Sequence, residues 1–245
     1  MIDIHCHLLP GIDDGPPTLE AALDLACALV ADGITHVVCT PHVFPGRFEN
    51  RRSSIEDEFN AFRQVLATHG LPLQLDWAGE VRLAPEALDL LARKEVPFIG
   101  HLKGERNVLL EMPDGQIPLG TERFLGLLVA QGIRPIVAHP ERNRAVMEKP
   151  ARLQPFIDMG CALQLTAGSV VGQFGSKAQA AAQAILDAGW ATCIASDAHN
   201  LSGRMPRMTD AAAWLQQHYG RAAAEQLAIT GPQRLQGGLW PPLTG

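Results

Sequence analysis

Histidine and carboxylate side chains recur at the ends of short apolar segments of this chain, where their spacing could serve metal chemistry. His5 and His7 close the segment MIDIHCH, and Asp197 and His199 repeat the same two-residue spacing in ATCIASDAH. Side chains two positions apart on a strand point to the same side, so each pair can present two ligands together. Imidazole and carboxylate groups together suit divalent ions such as Zn, Mn or Fe.

Almost every strand-like segment of the chain ends in a residue of this kind. The strand-end candidates are His5, His7, His42, Glu80, Glu111, His139, Asp197 and His199. Any one of them could be an ordinary hydrogen-bonded residue, as buried polar side chains usually are. It is far less expected by chance that six strand ends all carry His, Asp or Glu than that one of them does. We therefore interpret the set as one metal site.

The strand-like segments alternate with alanine-rich segments of helical periodicity. Seven segments have strand character: MIDIHCH, THVVCTPH, LQLDWAGEV, NVLLEMP, IRPIVAHPE, CALQLTAGS and ATCIASDAH. Helical spacing is clearest over residues 19–30, 55–69, 121–131 and 178–188, and a glycine closely follows each of these segments. This alternation predicts βα units that build a parallel sheet.

An open doubly wound sheet and a closed βα barrel both satisfy this alternation. Neither the fingerprint G-x-G-x-x-G after the first strand nor the phosphate loop G-x-x-x-x-G-K-[ST] occurs in the sequence. In a barrel the C-terminal strand ends converge on one mouth, whereas an open sheet would spread the polar side chains along a crevice. We therefore predict an α/β barrel whose metal site lies at the C-terminal ends of the strands.

Composition and charge disfavour several classes of protein. The chain has 245 residues, with 26 Asp+Glu against 20 Lys+Arg and a formal charge of −6, which argues against nucleic acid as the main partner. No apolar run approaches the about 18 residues of a membrane span, so we expect no membrane insertion. Because no linker or repeat interrupts the pattern, we expect residues 1–245 to form one domain, with a loose tail over about the last ten residues.

The five cysteines lie in apolar segments at wide spacings and form no C-x-x-C pair, as is typical of reduced core cysteines. This usage, and a start without a basic or apolar leader, predict a cytoplasmic protein. A covalent cysteine phosphatase would need an arginine six residues after its nucleophile. The residues at those positions are Ile12, Gly33, Pro45, Ala167 and His199. Thiol catalysis is therefore not supported.

Taken in order, the motifs MIDIHCHLLPGIDDG, CTPH, GE, LLEMP, AHPERN and ASDAHNLSGR resemble those of the PHP superfamily. The resemblance is closest to its bacterial tyrosine-protein phosphatase branch of the CpsB/CapC type, which is encoded with capsule and exopolysaccharide synthesis genes. The resemblance implies a distorted (β/α)₇ barrel, in agreement with the seven strand-like segments.

The resemblance also implies three divalent ions, with Mn²⁺ expected and Fe or Zn as alternatives. The first ion would be held by His5, His7, Glu80 and Asp197. Glu80 would bridge to the second ion, which Glu111 and His139 would also hold. The third ion would be held by Asp14, His42 and His199. Asp13 stays open as an alternative to Asp14, because either carboxylate of an Asp-Asp-Gly turn could face the ion.

The chemistry expected of such ions is hydrolysis of a phosphate ester. A hydroxide bridging two ions would have its pKa lowered towards neutrality and could attack phosphorus in line. Arg142 and Arg204 match arginines of the family's site, and a planar guanidinium can pair with two phosphate oxygens at once. A phenolate (pKa ~10) leaves more readily than an alkoxide, so an aryl phosphate has less need of a strong general acid.

The resemblance predicts a protein-tyrosine phosphatase, a metal-dependent phosphoric monoester hydrolase that acts on the tyrosine-rich tail of a bacterial tyrosine kinase in polysaccharide export. The alternative is a small-molecule phosphomonoesterase such as a histidinol-phosphate phosphatase. A non-catalytic metal-binding regulator would lack ligands, and none is missing. Homo-oligomers occur in the family, but the sequence does not specify an oligomeric state. The stretch 47–52, with Arg47, Phe48, Arg51 and Arg52, could receive an acidic phosphotyrosine segment or simply begin a helix.

Overall fold

The computed structural model describes residues 1–238, which contain nine strands that overlap the seven predicted segments. The strands are β1 (Ile2–Cys6), β2 (His36–Cys39), β3 (His42–Val43), β4 (Gln74–Trp77), β5 (Glu80–Arg82), β6 (Asn107–Glu111), β7 (Arg134–Ala138), β8 (Ala162–Thr166) and β9 (Cys193–Ala195). Every pairing between them is parallel.

The strands form a closed ring of seven positions, because two positions hold a strand in two parts. β2 continues into β3 past Pro41, and β4 continues into β5 past Gly79; β2 pairs with β4, and β3 with β5. Pro41 has no N–H to donate, but its carbonyl accepts a hydrogen bond from the Glu80 N–H at 3.0 Å. β5 to β9 pair in chain order. A parallel bridge between Cys6 and Ala198, next to β1 and β9, closes the ring, and the all-parallel pairing confirms the predicted α/β fold.

At least one helix follows each strand position before the next position begins. The α-helices are α1 (Leu19–Ala31), α2 (Arg52–Thr68), α3 (Glu86–Ala92), α4 (Thr121–Ala130), α5 (Arg144–Glu148), α6 (Gln154–Asp158), α7 (Ala167–Val170), α8 (Ser176–Asp187), α9 (Met208–Tyr219), α10 (Arg221–Glu225) and α11 (Gly231–Leu235). The four predicted helical segments correspond to α1, α2, α4 and α8. α2 begins at Arg52 rather than Ile55, because the Ser54 hydroxyl accepts a hydrogen bond from the Arg51 N–H and caps the first turn.

Alternate residues of the strands pack into two apolar layers. One layer fills the barrel and includes Ile4, Leu109 and Ile136. The other combines the opposite strand faces with helix residues such as Leu25 and Phe59. Polar side chains, rather than residues of these two layers, occupy the C-terminal ends of the strands. None of the helices within residues 1–238 has the length and apolar character needed to cross a membrane.

The prediction that every cysteine is a core residue is wrong for Cys27. The other four cysteines are buried and Cys27 is exposed, although all five are free thiols. Cys27 lies in an apolar run, but α1 buries only one face, which carries Leu25 and Leu29. The predicted loose tail falls largely on residues 239–245, outside the described residues, and stays a prediction, as does the single-domain organisation.

Asp3 joins the first and last strands where the ring closes. Its buried carboxylate accepts hydrogen bonds from the Ser196 hydroxyl at 2.5 Å, the Ser196 N–H at 2.9 Å and the His5 N–H at 3.2 Å. Burial raises the pKa of Asp3 to about 6, against the opposing effect of these hydrogen bonds. The folded protein therefore holds this proton more tightly than the unfolded chain does.

We expect Asp3→Asn to remove one source of pH dependence from the stability of the metal-free protein. A carboxyl whose pKa rises from 3.8 to about 6 on folding makes unfolding easier as the pH rises through that window. Between about pH 4 and pH 7, the free energy of unfolding of the variant should gain about 2 kcal/mol relative to the wild type. Urea unfolding of both proteins at the two pH values measures this, and a difference that does not change with pH would contradict it.

Candidate metal centre

All nine side chains predicted to be metal ligands converge at the C-terminal ends of the strands. They are His5, His7, Asp14, His42, Glu80, Glu111, His139, Asp197 and His199. Seven of them are buried, Glu111 is half-buried and Asp14 is exposed. His42 and Glu80 are the first residues of the short strands β3 and β5, which continue β2 and β4, whereas Glu111 is the last residue of β6.

Glu80 lies at the middle of the cluster and contacts four imidazoles. Its Oε1 is 2.8 Å from His139 Nε2 and 3.4 Å from His5 Nε2. Its Oε2 is 2.9 Å from His42 Nδ1 and 3.4 Å from His7 Nε2. Because both carboxylate oxygens face different imidazoles, this side chain is placed to serve two ions at once.

The donor atoms fall into three groups, each small enough to surround one ion. The groups are His5, His7 and Glu80; His42, Glu80 and Glu111; and His7, Asp14, His42 and His199. These groups overlap the three sets that the sequence predicted, with two differences. His42 stands in the second group in place of the predicted His139, which contacts Glu80 Oε1 at 2.8 Å, and His7 joins the third group. Asp197 Oδ1 adds to the first group, at 3.3 Å from His5 Nε2 and 3.4 Å from His7 Nε2.

The neighbouring carboxylates of Asp13 and Asp14 have different surroundings. Asp14 Oδ1 lies 3.2 Å from His42 Nε2 and 3.4 Å from His199 Nε2, among the ligand atoms. Asp13 Oδ2 instead lies 2.6 Å from Nδ1 of His7, on the side of the ring away from the cluster, and accepts from the His42 N–H at 2.9 Å. The geometry therefore favours Asp14 as the ligand, and Asp13 orients the His7 ring.

Removal of the Asp13 carboxylate should weaken metal binding without removing a ligand. Asp13→Ala frees the His7 ring to rotate, and loss of such an outer partner typically lowers metal affinity about 10- to 100-fold. Competition with a chromophoric chelator measures the affinity, and Asp24→Ala, an exposed change on α1, is the matched control. An unchanged affinity in Asp13→Ala would show that His7 does not depend on this carboxylate.

Two other residues near the centre were not predicted from the sequence. Gln164 of β8 places its Oε1 2.8 Å from Nδ1 of His5 and holds that ring on its outer side. Arg82 of β5 forms an ion pair with Glu111 at 2.8 Å. A signal existed for Arg82, because it follows Glu80 by two positions and so lies on the same side of the strand. Gln164 gave a weaker signal, as a polar residue inside the apolar run ALQLT.

Two residues of the centre have a left-handed backbone that is unusual for side chains larger than glycine. His139 has φ of 32° and Asp197 has φ of 52°, and the one other such residue within 1–238 is Lys94. Each such conformation costs of order 1–3 kcal/mol and persists where surrounding structure enforces it. The fold therefore bends the chain sharply after β7 and β9 to turn these two side chains into the mouth.

The two predicted arginines both reach the centre. Arg142 Nη1 lies 2.5 Å from Asp197 Oδ2, and Arg204 Nη2 lies 3.2 Å from the same oxygen. Arg204 Nη1 is also 3.3 Å from Asp14 Oδ2. The Arg142 guanidinium carbon lies 5.0 Å from the centroid of the Phe174 ring, which supports it from one side. Two guanidinium groups thus converge on one point at the edge of the ligand cluster.

A cleft of about 490 Å³ opens from the centre to solvent. Its polar wall includes five arginines: Arg47, Arg82, Arg142, Arg144 and Arg204. Its apolar wall includes the rings of Phe44, Phe48 and Phe174, and Phe48 stacks on His42 with the ring planes 7° apart. The cleft therefore combines cationic groups with aromatic surface directly above the ligand cluster.

Burial and local charge set the protonation of the cluster. Burial lowers the pKa values of His139 and His199 to about 4, so both rings are neutral at pH 7, the form that binds metal. Burial alone would raise the pKa of Glu80, but the charges of His5 and His42 outweigh it and hold this pKa well below its usual range. The carboxylate is therefore ionised, as a ligand must be.

The structure itself, apart from any resemblance in sequence, indicates that these side chains could bind divalent ions. Glu80 Oε2 and His199 Nε2 are buried and make no hydrogen bond of good geometry, although Glu80 Oε2 lies 2.9 Å from His42 Nδ1 and His199 Nε2 lies 3.4 Å from Asp14 Oδ1. A buried polar atom without a well-directed hydrogen bond is costly, and bound ions would satisfy both atoms. Imidazole and carboxylate ligands in this number suit ions of the Mn, Fe and Zn type.

Known proteins resemble this chain in sequence and in structure. It is 32% identical over 220 residues to the tyrosine-protein phosphatase YwqE of Bacillus subtilis, an alignment that covers 90% of this chain and 85% of YwqE. It is 31% identical over 244 residues to the tyrosine-protein phosphatase CpsB of Streptococcus pneumoniae, covering 96% and 98% of the two chains. A crystal structure from a study of YwqE and CpsB, described as unique metal-dependent tyrosine phosphatases, matches with a TM-score of 0.90 at 30% identity and covers 98% of this chain and 96% of that one.

The fold and the ligand cluster define a metal-dependent hydrolase built on a parallel α/β barrel. Residues 1–236 match the family model for capsular polysaccharide synthesis proteins CpsB/CapC. The chain therefore belongs to the CpsB/CapC family. This membership confirms the predicted family and the predicted enzyme class, a metal-dependent phosphoric monoester hydrolase.

Proposed function

We propose that the chain is a protein-tyrosine phosphatase that dephosphorylates a tyrosine kinase of polysaccharide synthesis. The observation that carries this proposal is the meeting of three ligand groups with Arg142 and Arg204 at one cleft. Membership of the family and the names of its relatives support phosphotyrosine as the substrate class. We place the protein in the cytoplasm, because its five cysteines are free thiols.

We propose three ions, one for each ligand group, with Mn²⁺ as the expected metal and Fe or Zn as alternatives. When bound, such ions neutralise phosphate charge and lower the pKa of the water that attacks phosphorus in line. The protein contributes the nine ligands, and it orients two of them through Asp13 and Gln164. A ligand set held in this way needs little rearrangement when substrate arrives.

Arg142 and Arg204 would bind the phosphate group itself. Both guanidinium groups reach Asp197 Oδ2, so a phosphate oxygen next to that carboxylate can accept hydrogen bonds from both. Fixed donors of this kind stabilise the charge that develops on phosphate oxygens during the reaction. The planar guanidinium also fixes the orientation of the phosphate, which a lysine would do less well.

The aromatic wall of the cleft suits the ring of a tyrosine. Phe48 and Phe174 line the cleft above the cluster, and aromatic pairs contribute about 0.5–1.5 kcal/mol beyond burial of their surface. A phenolate has a pKa of about 10 and so departs with little help from a general acid. The wall and the leaving group are therefore consistent with an aryl phosphate substrate.

Removal and return of metal tests the proposed function directly. Protein treated with chelator should release no phosphate from a phosphotyrosyl peptide, and Mn²⁺ should restore the release. Equal turnover before and after chelation would contradict the proposed metal chemistry, whereas recovery with Mg²⁺ but not Mn²⁺ would contradict the expected metal.

A comparison of substrates tests the proposed substrate class. A phosphotyrosyl peptide should be hydrolysed with higher kcat/KM than histidinol phosphate, the substrate of the alternative small-molecule phosphatase. The comparisons with known proteins give no support to that alternative. A preference for histidinol phosphate would overturn the proposed substrate while leaving the metal centre in place.

A further inference from the structure

Two arginines at the rim of the cleft have no task in the proposed reaction. Three of the five arginines there are paired with carboxylates of the centre: Arg82 with Glu111, Arg142 with Asp197 and Arg204 with Asp14. Arg47 and Arg144 are exposed, and neither makes an ion pair with any carboxylate of residues 1–238. One further carboxylate, Asp114, also lines the cleft. The rim is thus cationic, although the chain as a whole carries a formal charge of −6.

Arg47 is held at the rim by a tight turn. The Phe44 carbonyl accepts hydrogen bonds from the N–H groups of Arg47 at 2.9 Å and Phe48 at 2.8 Å. The Arg47 guanidinium carbon lies 5.0 Å from the centroid of the Phe48 ring, and Phe48 in turn stacks on His42. Asn50 ties the same loop to the barrel by donating to the Ile12 and His42 carbonyls. Arg47 therefore has a defined position beside the ligand cluster.

Arg144 is fixed on the other side of the mouth. Its backbone N–H donates to the Asp114 carbonyl at 2.8 Å, and the preceding Asn143 caps helix α5. Arg47 follows β3 and Arg144 follows β7, with β5 and β6 between these strands. They are three positions apart in a ring of seven, which is the greatest separation that such a ring allows. The two free cations therefore flank the cleft from opposite sides.

We infer that Arg47 and Arg144 select substrates with acidic residues on both sides of the phosphotyrosine. The inference rests on the proposed function, because it requires that a phosphotyrosine enters the cleft. With the phosphate at Arg142 and Arg204, the peptide must leave the mouth in two directions across the rim. Carboxylate side chains on its two arms would then meet Arg47 and Arg144, one on each side.

Peptide series with the Mn²⁺-loaded full chain test this inference. One series carries glutamate on both sides of the phosphotyrosine, one only before it, one only after it, and one carries glutamine at all of these positions. Each exposed charge pair should raise kcat/KM about two- to fivefold over glutamine. Every protein's values are normalised to its own rate on p-nitrophenyl phosphate, which has no flanking residues.

The variants should separate the two sides of the rim. Arg47→Ala should lose the gain from glutamate on one side of the phosphotyrosine, and Arg144→Ala the gain from the other side. Arg134→Ala removes the same charge at the opposite end of the barrel, at the start of β7, and should keep both gains. This control excludes a mere effect of net charge.

The outcomes distinguish failure of the inference from failure of the proposed function. If p-nitrophenyl phosphate is hydrolysed but the wild type does not prefer glutamate, the inference is wrong and the proposed function stands. The inference is also wrong if both gains survive in Arg47→Ala and in Arg144→Ala, or if Arg134→Ala loses them equally. No turnover of any phosphate ester would overturn the proposed function, and the inference with it.

Discussion

Glu80→Gln should abolish phosphatase activity and empty most of the metal centre. The substitution keeps the size and shape of the side chain but removes the charge that faces four imidazoles. An amide offers one oxygen in place of two, so it cannot bridge two ions. Because Glu80 belongs to two of the three ligand groups, a single change disturbs both.

The expected loss of turnover exceeds that caused by removing a residue, such as Asp13, that only orients a ligand. Removal of an outer partner lowers metal affinity or activity about 10- to 100-fold, so loss of the central ligand should lower turnover by more than about 100-fold. Bound metal is counted by mass spectrometry of the purified protein, and turnover is measured on a phosphotyrosyl peptide with added Mn²⁺. Glu122→Gln, an exposed change in the first turn of α4, is the matched control.

Circular dichroism shows whether Glu80→Gln still folds. The barrel is held mainly by its two apolar layers, so the variant should keep its secondary structure. A folded Glu80→Gln protein with full metal content and normal turnover would remove Glu80 from the centre of the proposed site.

Arg142→Ala should impair turnover while the metal stays bound. Arg142 donates to Asp197 Oδ2, where the proposed phosphate would lie, and contacts no other predicted ligand through an ion pair. Loss of one fixed donor to a developing negative charge costs about 100- to 1,000-fold in kcat. Asp197 keeps its contacts with His5, His7 and Arg204, so the ligand cluster should remain intact.

The conservative variant separates charge from geometry. Arg142→Lys keeps the positive charge but loses the planar fork, so its kcat should lie between those of Arg142→Ala and the wild type. Metal content is measured on the same samples, and Arg134→Ala is the control for a lost arginine away from the cleft. If Arg142→Ala instead loses its metal, Arg142 supports the ligands and its proposed phosphate role is wrong.

The parallel α/β fold and the meeting of the strand-end histidines and carboxylates could be predicted from the sequence, because both depend on local pattern. Short apolar segments with glycine-terminated helices between them specify βα units, and parallel units bring their C-terminal ends to one mouth. His5 and His7 illustrate the simplest case, because strand periodicity alone places both imidazoles on one side. Their Nε2 atoms lie 3.3 Å apart in the structure.

The remaining features depend on contacts between distant parts of the chain. Gln164 supports His5 across 159 residues, and no local pattern connects the two. Asp13 and Asp14 are equivalent in the sequence, and only the position of the loop against His7 and His42 distinguishes them. The exposure of Cys27 could not be predicted either, because an apolar run on a helix does not specify which of its residues face the core.

A titration of metal-free protein with Mn²⁺ tests the central claim most directly, with bound metal and turnover of a phosphotyrosyl peptide measured on the same samples. The three ligand groups predict that turnover rises with occupancy and reaches its maximum at about three ions per chain. Full turnover by protein that holds no metal would contradict the claim. Saturation with metal that leaves the protein inactive on every phosphate ester would contradict it equally.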